Sequence, residues 1–422
     1  MKLSHHNLLN QARIHAQSAS FTEMLAIGQQ IIEVFSDNVD ALLDVGALFL
    51  NFGYLTRARK CFERVRVLAP DDLRPVINLA NLEREAGNFA ESRHFYNCLL
   101  EKHPDHPVIR RNALVSLEYD PVVTDEARLV QANAWGEWII AKASGPYPRP
   151  ACGQLNDRPL RIGYLSADLC QHTVGLFIKD ILKAHDPACV IAFTYNVGAV
   201  NDWVTDAIRD CTQFRDVAHL NDAALIHLIR QDKIDVLVDL SGHTAGSRLT
   251  VFAHRPAPVQ VSWLGYFATT GLRYIDAVLL DEWHAPPGTE SQFVETIMRL
   301  PSGRFCYRPV PWAPKEVAAP PFQNNGHITF GCFNNTAKLN AGVLDVWAKV
   351  LAAVPDSRLA LKWRTFNDEG LRQSVLEALA RRGIASERIE LRGPSFHAGL
   401  LKEYADIDIA LDPFVHWRAD QL

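Results

Sequence analysis

Three stretches of the chain carry residue types that can do chemistry. In SADLCQHTVGLFIKDIL, His172 stands on the loop leaving an apolar run and just before an apolar helix that begins Thr173, Val174, Gly175. An imidazole there faces a cleft and can exchange a proton with a ligand, or else it caps the helix that follows. In DVLVDLSGHTAGSRL, His243 lies between Gly242 and Gly246 on the loop leaving another such run, so both histidines are expected at one rim. The two glycines point to close backbone approach or unusual dihedrals. In HITFGCFNNTAKLNAGVLDVW, Asn335 and Lys338 fall between a strand and a helix that Asn340 is placed to cap. A lysine beside a helix N-terminus suits a phosphate group, the alternative being a solvated lysine. Asp406 and Asp408 have the D-x-D spacing of a metal-binding carboxylate pair, but they open an apolar strand and are read as strand-start contacts. RPAPVQVSWLGYFATTG, with Pro256, Pro258, Trp263 and Gly265, reads as a rigid turn and strand in a core.

Other chemistries lack their signatures. There is no G-x-S-x-G, G-x-x-x-x-G-K or G-x-G-x-x-G, and no triad spacing among the serines and histidines. The eight cysteines, at 61, 98, 152, 170, 189, 211, 306 and 332, form no C-x-x-C pair, and no histidine spacing completes a zinc site. Neither a metal nor a cofactor is expected. Scattered thiols imply a reducing compartment.

These loops need elements to position them. The segment 39–105 overlays on itself at an offset of 34: Gly46 on Ala80, Gly53 on Gly87, Leu55 on Phe89, Ala58 on Ser92, Phe62 on Tyr96 and Pro70 on Pro104. Small residues let paired helices approach, aromatics fill the space between them, and proline ends the unit. Residues 5–38 fit the period weakly, and Asn112 repeats Asn78, so a further helix is expected to about 118. Asp44, Asn78 and Asn112 share one repeat position and either bind an extended peptide backbone or bridge neighbouring helices. Residues 1–144 are therefore expected to be a helical repeat domain with connecting helices.

Residues 145–159, rich in Pro and Gly, read as a linker. The pattern then changes to apolar runs alternating with helical stretches, which predicts parallel α/β units. Strands are expected at 160–166, 190–196, 234–241, 259–266 and 276–282, giving a Rossmann-like domain over 160–307. A Pro-rich linker at 308–326 precedes a second such domain over 327–422, with strands in HITFGCF, SRLALKWR, RIELRG and DIDIALD. A ligand would bind between the two, at the carboxyl ends of the strands.

Composition bounds the function. A chain of 422 residues with 48% hydrophobic content and 20 Phe, 9 Trp and 10 Tyr can fill two or three cores. A net charge of −5 provides no electrostatic footprint for nucleic acid or an anionic membrane. The N-terminus has no uninterrupted apolar stretch and no run of about twenty apolar residues occurs. A cytoplasmic protein is expected.

Helical repeats followed by RIGYLSADLCQH, DVLVDLSGHTAG, FAHRPAPVQVSWLGYFATTG, FGCFNNTAKLN and YADIDIALDPF resemble the bacterial branch of the O-GlcNAc transferases and SPINDLY-like glycosyltransferases. NLANLEREAGN likewise resembles their tetratricopeptide repeats. The resemblance covers nearly the whole chain. It implies a GT-B fold and inverting transfer of GlcNAc from UDP-GlcNAc to protein Ser or Thr without a metal, with acceptors on the concave face of the repeats. It makes His172 an active-site or general-base histidine, gives His243 a supporting role, and places Lys338 and Asn335 against the donor. Relatives continue past the IDIALDPF strand into a Gly- and Thr-rich donor motif, whereas this sequence ends in VHWRADQL. The second domain is thus expected to be incomplete. That departure leaves a non-catalytic peptide-binding scaffold as the rival reading, and GDP-fucose as the rival donor.

Overall fold

The repeat period sets the N-terminal architecture. The helices are α1 (His5–Gln17), α2 (Phe21–Val34), α3 (Val39–Asn51), α4 (Leu55–Leu68), α5 (Arg74–Glu85), α6 (Phe89–Lys102) and α7 (Pro107–Leu117), stacked as antiparallel pairs. The protein is described by a computed structural model covering residues 4–145, 147–151 and 158–414. Gly46 shows why the period needs small residues, because a Cβ there would sit 2.7 Å from the Phe62 ring. Residues 5–38 form a full helix pair, and their weak match has a packing cause. Gly28 stands one period before Phe62, and the Phe49 ring occupies the space its missing side chain leaves. α7 is the expected final helix. Gly53 and Gly87 both have φ of 82° at the turn within a pair, a left-handed conformation that glycine adopts without steric cost.

The chain divides into two compact units, 1–122 with 310–422, and 123–309. In the second unit α8 (Asp125–Lys142) precedes seven strands: β1 (Leu160–Ser166), β2 (Val190–Asn196), β3 (Gln213–Asp216), β4 (Val236–Asp239), β5 (Val259–Ser262), β6 (Ala277–Leu280) and β7 (Thr296–Arg299). All pairings are parallel, in the order β3-β2-β1-β4-β5-β6-β7. The crossovers carry α9 (Thr173–Ala184), α10 (Trp203–Arg209), α11 (Asp222–Gln231) and the short α12 (Leu249–Phe252). The strand order reverses between β1 and β4, which is where a doubly wound sheet opens its ligand crevice.

The first unit joins the repeats to a second parallel sheet. After α13 (Phe322–Asn325) come β8 (Thr329–Cys332), α14 (Ala341–Ala353), β9 (Arg358–Lys362), α15 (Glu369–Ala380), β10 (Ile389–Arg392), α16 (His397–Glu403) and β11 (Ile409–Ala410), with strand order β10-β9-β8-β11. One apolar cluster runs from Leu8, Phe49 and Phe62 through to Trp347, Leu361 and Phe366, so the repeats and this sheet share a core. Polar contacts seal it. Asp368 accepts from the backbone of Thr56 at 2.7 Å and from its hydroxyl at 3.0 Å, and Arg364 pairs with Glu85 at 2.8 Å.

Two expectations differ in detail. The edge strands β3 and β7 carry little apolar pattern, because each is covered on one side only. α8, expected with the repeats, groups instead with 123–309. Its Gly136 lies so close to Gly271 that any side chain would collide with the Gly271 carbonyl. The linker expected at 145–159 falls partly outside the described residues, and the terminal VHWRADQL, 415–422, lies wholly outside them.

Candidate functional site

The loop from β1 to α9 is held from several directions. Ser166 Oγ accepts from the Asp168 amide at 2.9 Å, Asp202 from the Gln171 amide at 2.6 Å, and the Thr205 hydroxyl donates to the Leu169 carbonyl at 2.7 Å. Gly175 lets α9 start hard against this loop, since a Cβ would strike the Cys170 carbonyl. His172 is the N-cap of α9, with Nδ1 accepting from the Val174 amide at 3.4 Å and half its side chain in solvent. With Nδ1 used as an acceptor, the neutral ring carries its proton on Nε2. Asp168 Oδ2 lies 3.9 Å from Nδ1. Burial raises the Asp168 carboxyl above its usual range and the neighbouring His172 works against that shift. Sequence reading did not single out Asp168, although its position four residues before His172 was visible.

The loop after β4 leaves the same end of the sheet, because β1 and β4 are adjacent and parallel. Asp239 organises it by accepting from Ser241 and Gly242 amides at 3.2 and 2.8 Å and from the Ser262 hydroxyl at 3.3 Å. Complete burial pushes the Asp239 carboxyl up to about 6, against the pull of those three donors. Gly242 has φ of 56° with the Tyr266 side chain pressed against its Cα, the close approach expected of it. His243 differs from its expected place at the rim. It is 2% exposed, its Nε2 is 2.8 Å from the Thr270 carbonyl, and its ring meets Trp135 and Tyr266 edge-on. A carbonyl only accepts, so Nε2 carries the proton. His243 therefore ties α8 to the β4 and β5 loops from below, and His172 is the exposed one of the pair.

In the first unit the loop after β8 holds Asn335 and Lys338, at the carboxyl end of the strand beside which the order again reverses. Asn335 Oδ1 accepts from the Ala337 amide at 3.0 Å and shapes a single 3-10 turn over Thr336–Lys338. Thr336 anchors the turn through 2.6 Å to the Thr365 hydroxyl and 3.2 Å to the Glu85 carbonyl of α5. Asn340 caps α14 by accepting from Val343 at 3.0 Å, as its sequence position predicts. Lys338 is partly buried and, among the described residues, its ammonium has no carboxylate partner. It nonetheless lies near enough to Cys332 to oppose the upward shift, to about 12, that burial imposes on that thiol.

Asp406 and Asp408 are engaged by the protein. Asp408 accepts from the Thr329 and Phe322 amides at 2.8 and 3.0 Å, and Asp406 from Arg392 at 2.7 Å. Along the repeats, Asp44, Asn78 and Asn112 fall on α3, α5 and α7, the first helix of each successive pair, and all three are partly exposed. Asn112 accepts from Arg111 at 2.9 Å and Asn81 from the Tyr96 hydroxyl at 2.7 Å. The seven described cysteines are unpaired. No described helix is long and apolar enough to cross a membrane.

The O-GlcNAc transferase of Thermobaculum terrenum, solved as a point mutant, superposes on this chain with a TM-score of 0.85 at 33% identity, covering 97% of this chain and 78% of that one. The chain belongs to the O-GlcNAc transferase and SPINDLY-like glycosyltransferases. The family model of glycosyl transferase family 41 matches residues 133–307, beginning inside α8 and so including Trp135, which packs on His243. The rice (Oryza sativa subsp. japonica) "Probable UDP-N-acetylglucosamine--peptide N-acetylglucosaminyltransferase SPINDLY" is 38% identical over 327 residues, 76% of this chain and 35% of its own length. The Arabidopsis thaliana protein named SEC, with the same probable activity, is 31% identical over 241 residues, 53% of this chain and 24% of its own. The chain thus spans about a third of the length of the curated SPINDLY relatives it matches. Helical repeats followed by two parallel α/β sheets, the GT-B-type build, are this family's architecture in the present chain.

Proposed function

We propose that the chain transfers GlcNAc from UDP-GlcNAc to serine or threonine hydroxyls of proteins, with inversion at the anomeric carbon. The observation that carries this reading is Lys338: an ammonium without a carboxylate partner among the described residues, on a loop pinned by Thr336 and leading into the capped N-terminus of α14. Such a cation beside helix N–H groups suits a diphosphate whose charge grows as the sugar leaves. Asn335, on the same turn, is assigned to the donor as well. The acceptor oxygen bonds to the anomeric carbon while the bond from that carbon to the UDP oxygen breaks, and the hydroxyl proton must pass to a base. His172 is assigned to that proton: Nε2 points away from the helix cap, and it accepts once the ring proton sits on Nδ1 in place of the Val174 contact. Two of the carboxylates available to a metal, Asp406 and Asp408, are spent on Arg392 and on backbone amides, so this reading gives charge neutralisation to Lys338 and the helix.

The names of the matched relatives support both the donor and the peptide acceptor. Asn78 and Asn112, partly exposed at one position of successive repeats, are assigned to the acceptor backbone. A reducing, cytoplasmic setting is in keeping with the unpaired thiols. Incubation with radiolabelled UDP-GlcNAc and a Ser/Thr peptide library tests the reading. Label on peptide that β-elimination releases supports it, and label transferred only from GDP-fucose would replace the donor.

A further inference from the structure

The first two helix pairs hold a cluster whose two histidines neither the sequence motifs nor the transferase reading uses. His5 and His6 open α1, and Asp44 lies on α3, the next pair's first helix. One ligand-type atom from each of the three falls within 4.8 Å of the other two. His5 Nε2 and Asp44 Oδ2 are 4.0 Å apart, too far for a hydrogen bond. Two ligands sharing a tetrahedral zinc at about 2.0–2.1 Å would be roughly 3.4 Å apart, so the gap is about half an ångström wider than a metal requires.

A second, independent observation concerns His5 itself. Its Nε2 is shut off from solvent and has no hydrogen-bond partner among the described residues. An imidazole nitrogen buried in that way normally finds one. The ring is held there by the edge of Phe35, at 5.7 Å between centroids, and lies against the His6 ring at 3.9 Å. His6 is exposed and so can turn its ring toward a shared ion.

We propose that His5, His6 and Asp44 bind a divalent transition metal of the zinc type, with water completing the shell. Two imidazoles and one carboxylate match the ligand preference of zinc, and three protein ligands leave a position open. The ion would tie the start of α1 to α3 and brace the helix pair whose sequence departs most from the repeat. It would also occupy, in this repeat, the position where the next ones present Asn78 and Asn112. Sequence spacing could not show the site, because Asp44 reaches the histidines only through the stacking of the helices.

The test titrates zinc chloride into the metal-stripped full chain by calorimetry, beside Asp44→Asn, His5→Gln and His6→Gln. Asp44→Asn installs the residue that the following repeats carry at this position, so the fold is expected to survive, and melting of each metal-free variant checks this. The proposal expects one zinc per chain in the micromolar range, a rise in the melting temperature with zinc, and at least about a tenfold loss of affinity in each variant. Absence of saturable binding, or binding unchanged in folded Asp44→Asn and His5→Gln, overturns it. The latter result would move the zinc to the free thiols.

Discussion

Oδ2 of Asp168 stands 3.9 Å from Nδ1 of His172, just outside hydrogen-bond reach. Nδ1 meanwhile accepts from the Val174 amide, which puts the proton of the neutral ring on Nε2. A histidine that takes a proton on Nε2 needs the opposite tautomer, with Nδ1–H donating to an acceptor. Asp168 becomes that acceptor if the two side chains close by about 1 Å, a tightening of the kind ligand binding produces. Asp168 is then a positioning residue acting through His172. Asp168→Asn is expected to lower kcat by about 10²-fold or more, shift the acid limb of the pH–rate profile, and leave UDP affinity unchanged. An unaltered pH profile would assign Asp168 to loop structure alone.

His243 is expected to behave differently. Its replacement by alanine opens a space between Trp135 and Tyr266 and leaves the Thr270 carbonyl without its donor. A cost of roughly 2–4 kcal/mol in stability follows from the combined cavity and lost hydrogen bond. Denaturant unfolding of His243→Ala should show that loss, while UDP binding by the folded fraction stays as in the wild type.

How much of this was legible from the residues alone varied with burial. β1 and β2 match the expected 160–166 and 190–196 because both are interior strands with long apolar runs. β3 (Gln213–Asp216) was invisible for the opposite reason, as a polar edge strand. His172, Asn335, Lys338 and Asn340 could be placed because each sits beside a strand end or helix start with a readable signature. The burial of His243 could not, since it depends on Trp135, which arrives from a distant helix. Nor could the shared core of repeats and second sheet, whose Thr56–Asp368 contact joins residues 312 apart in sequence.

Asp239 gives the pH dependence a sign. Its folded carboxyl is pushed up to about 6 by burial, from an ordinary value near 3.8. A folded state that holds its proton more tightly than the unfolded chain is favoured below the lower value, and loses that advantage as pH rises through the higher one. The difference amounts to roughly 3 kcal/mol between about pH 4 and pH 7. Equilibrium unfolding of the wild type and Asp239→Asn across this window should show the wild type's relative stability falling as pH rises. A pH-independent difference would contradict the assignment.

Lys338 bears the central claim. Calorimetric titration of UDP, UDP-GlcNAc and GDP-fucose into the 422-residue chain and into Lys338→Ala tests it most directly. The account predicts saturable UDP and UDP-GlcNAc binding, weakened at least about tenfold in Lys338→Ala through loss of a charge-assisted phosphate contact. Binding of equal strength in the variant, or none in a folded wild type, would contradict it.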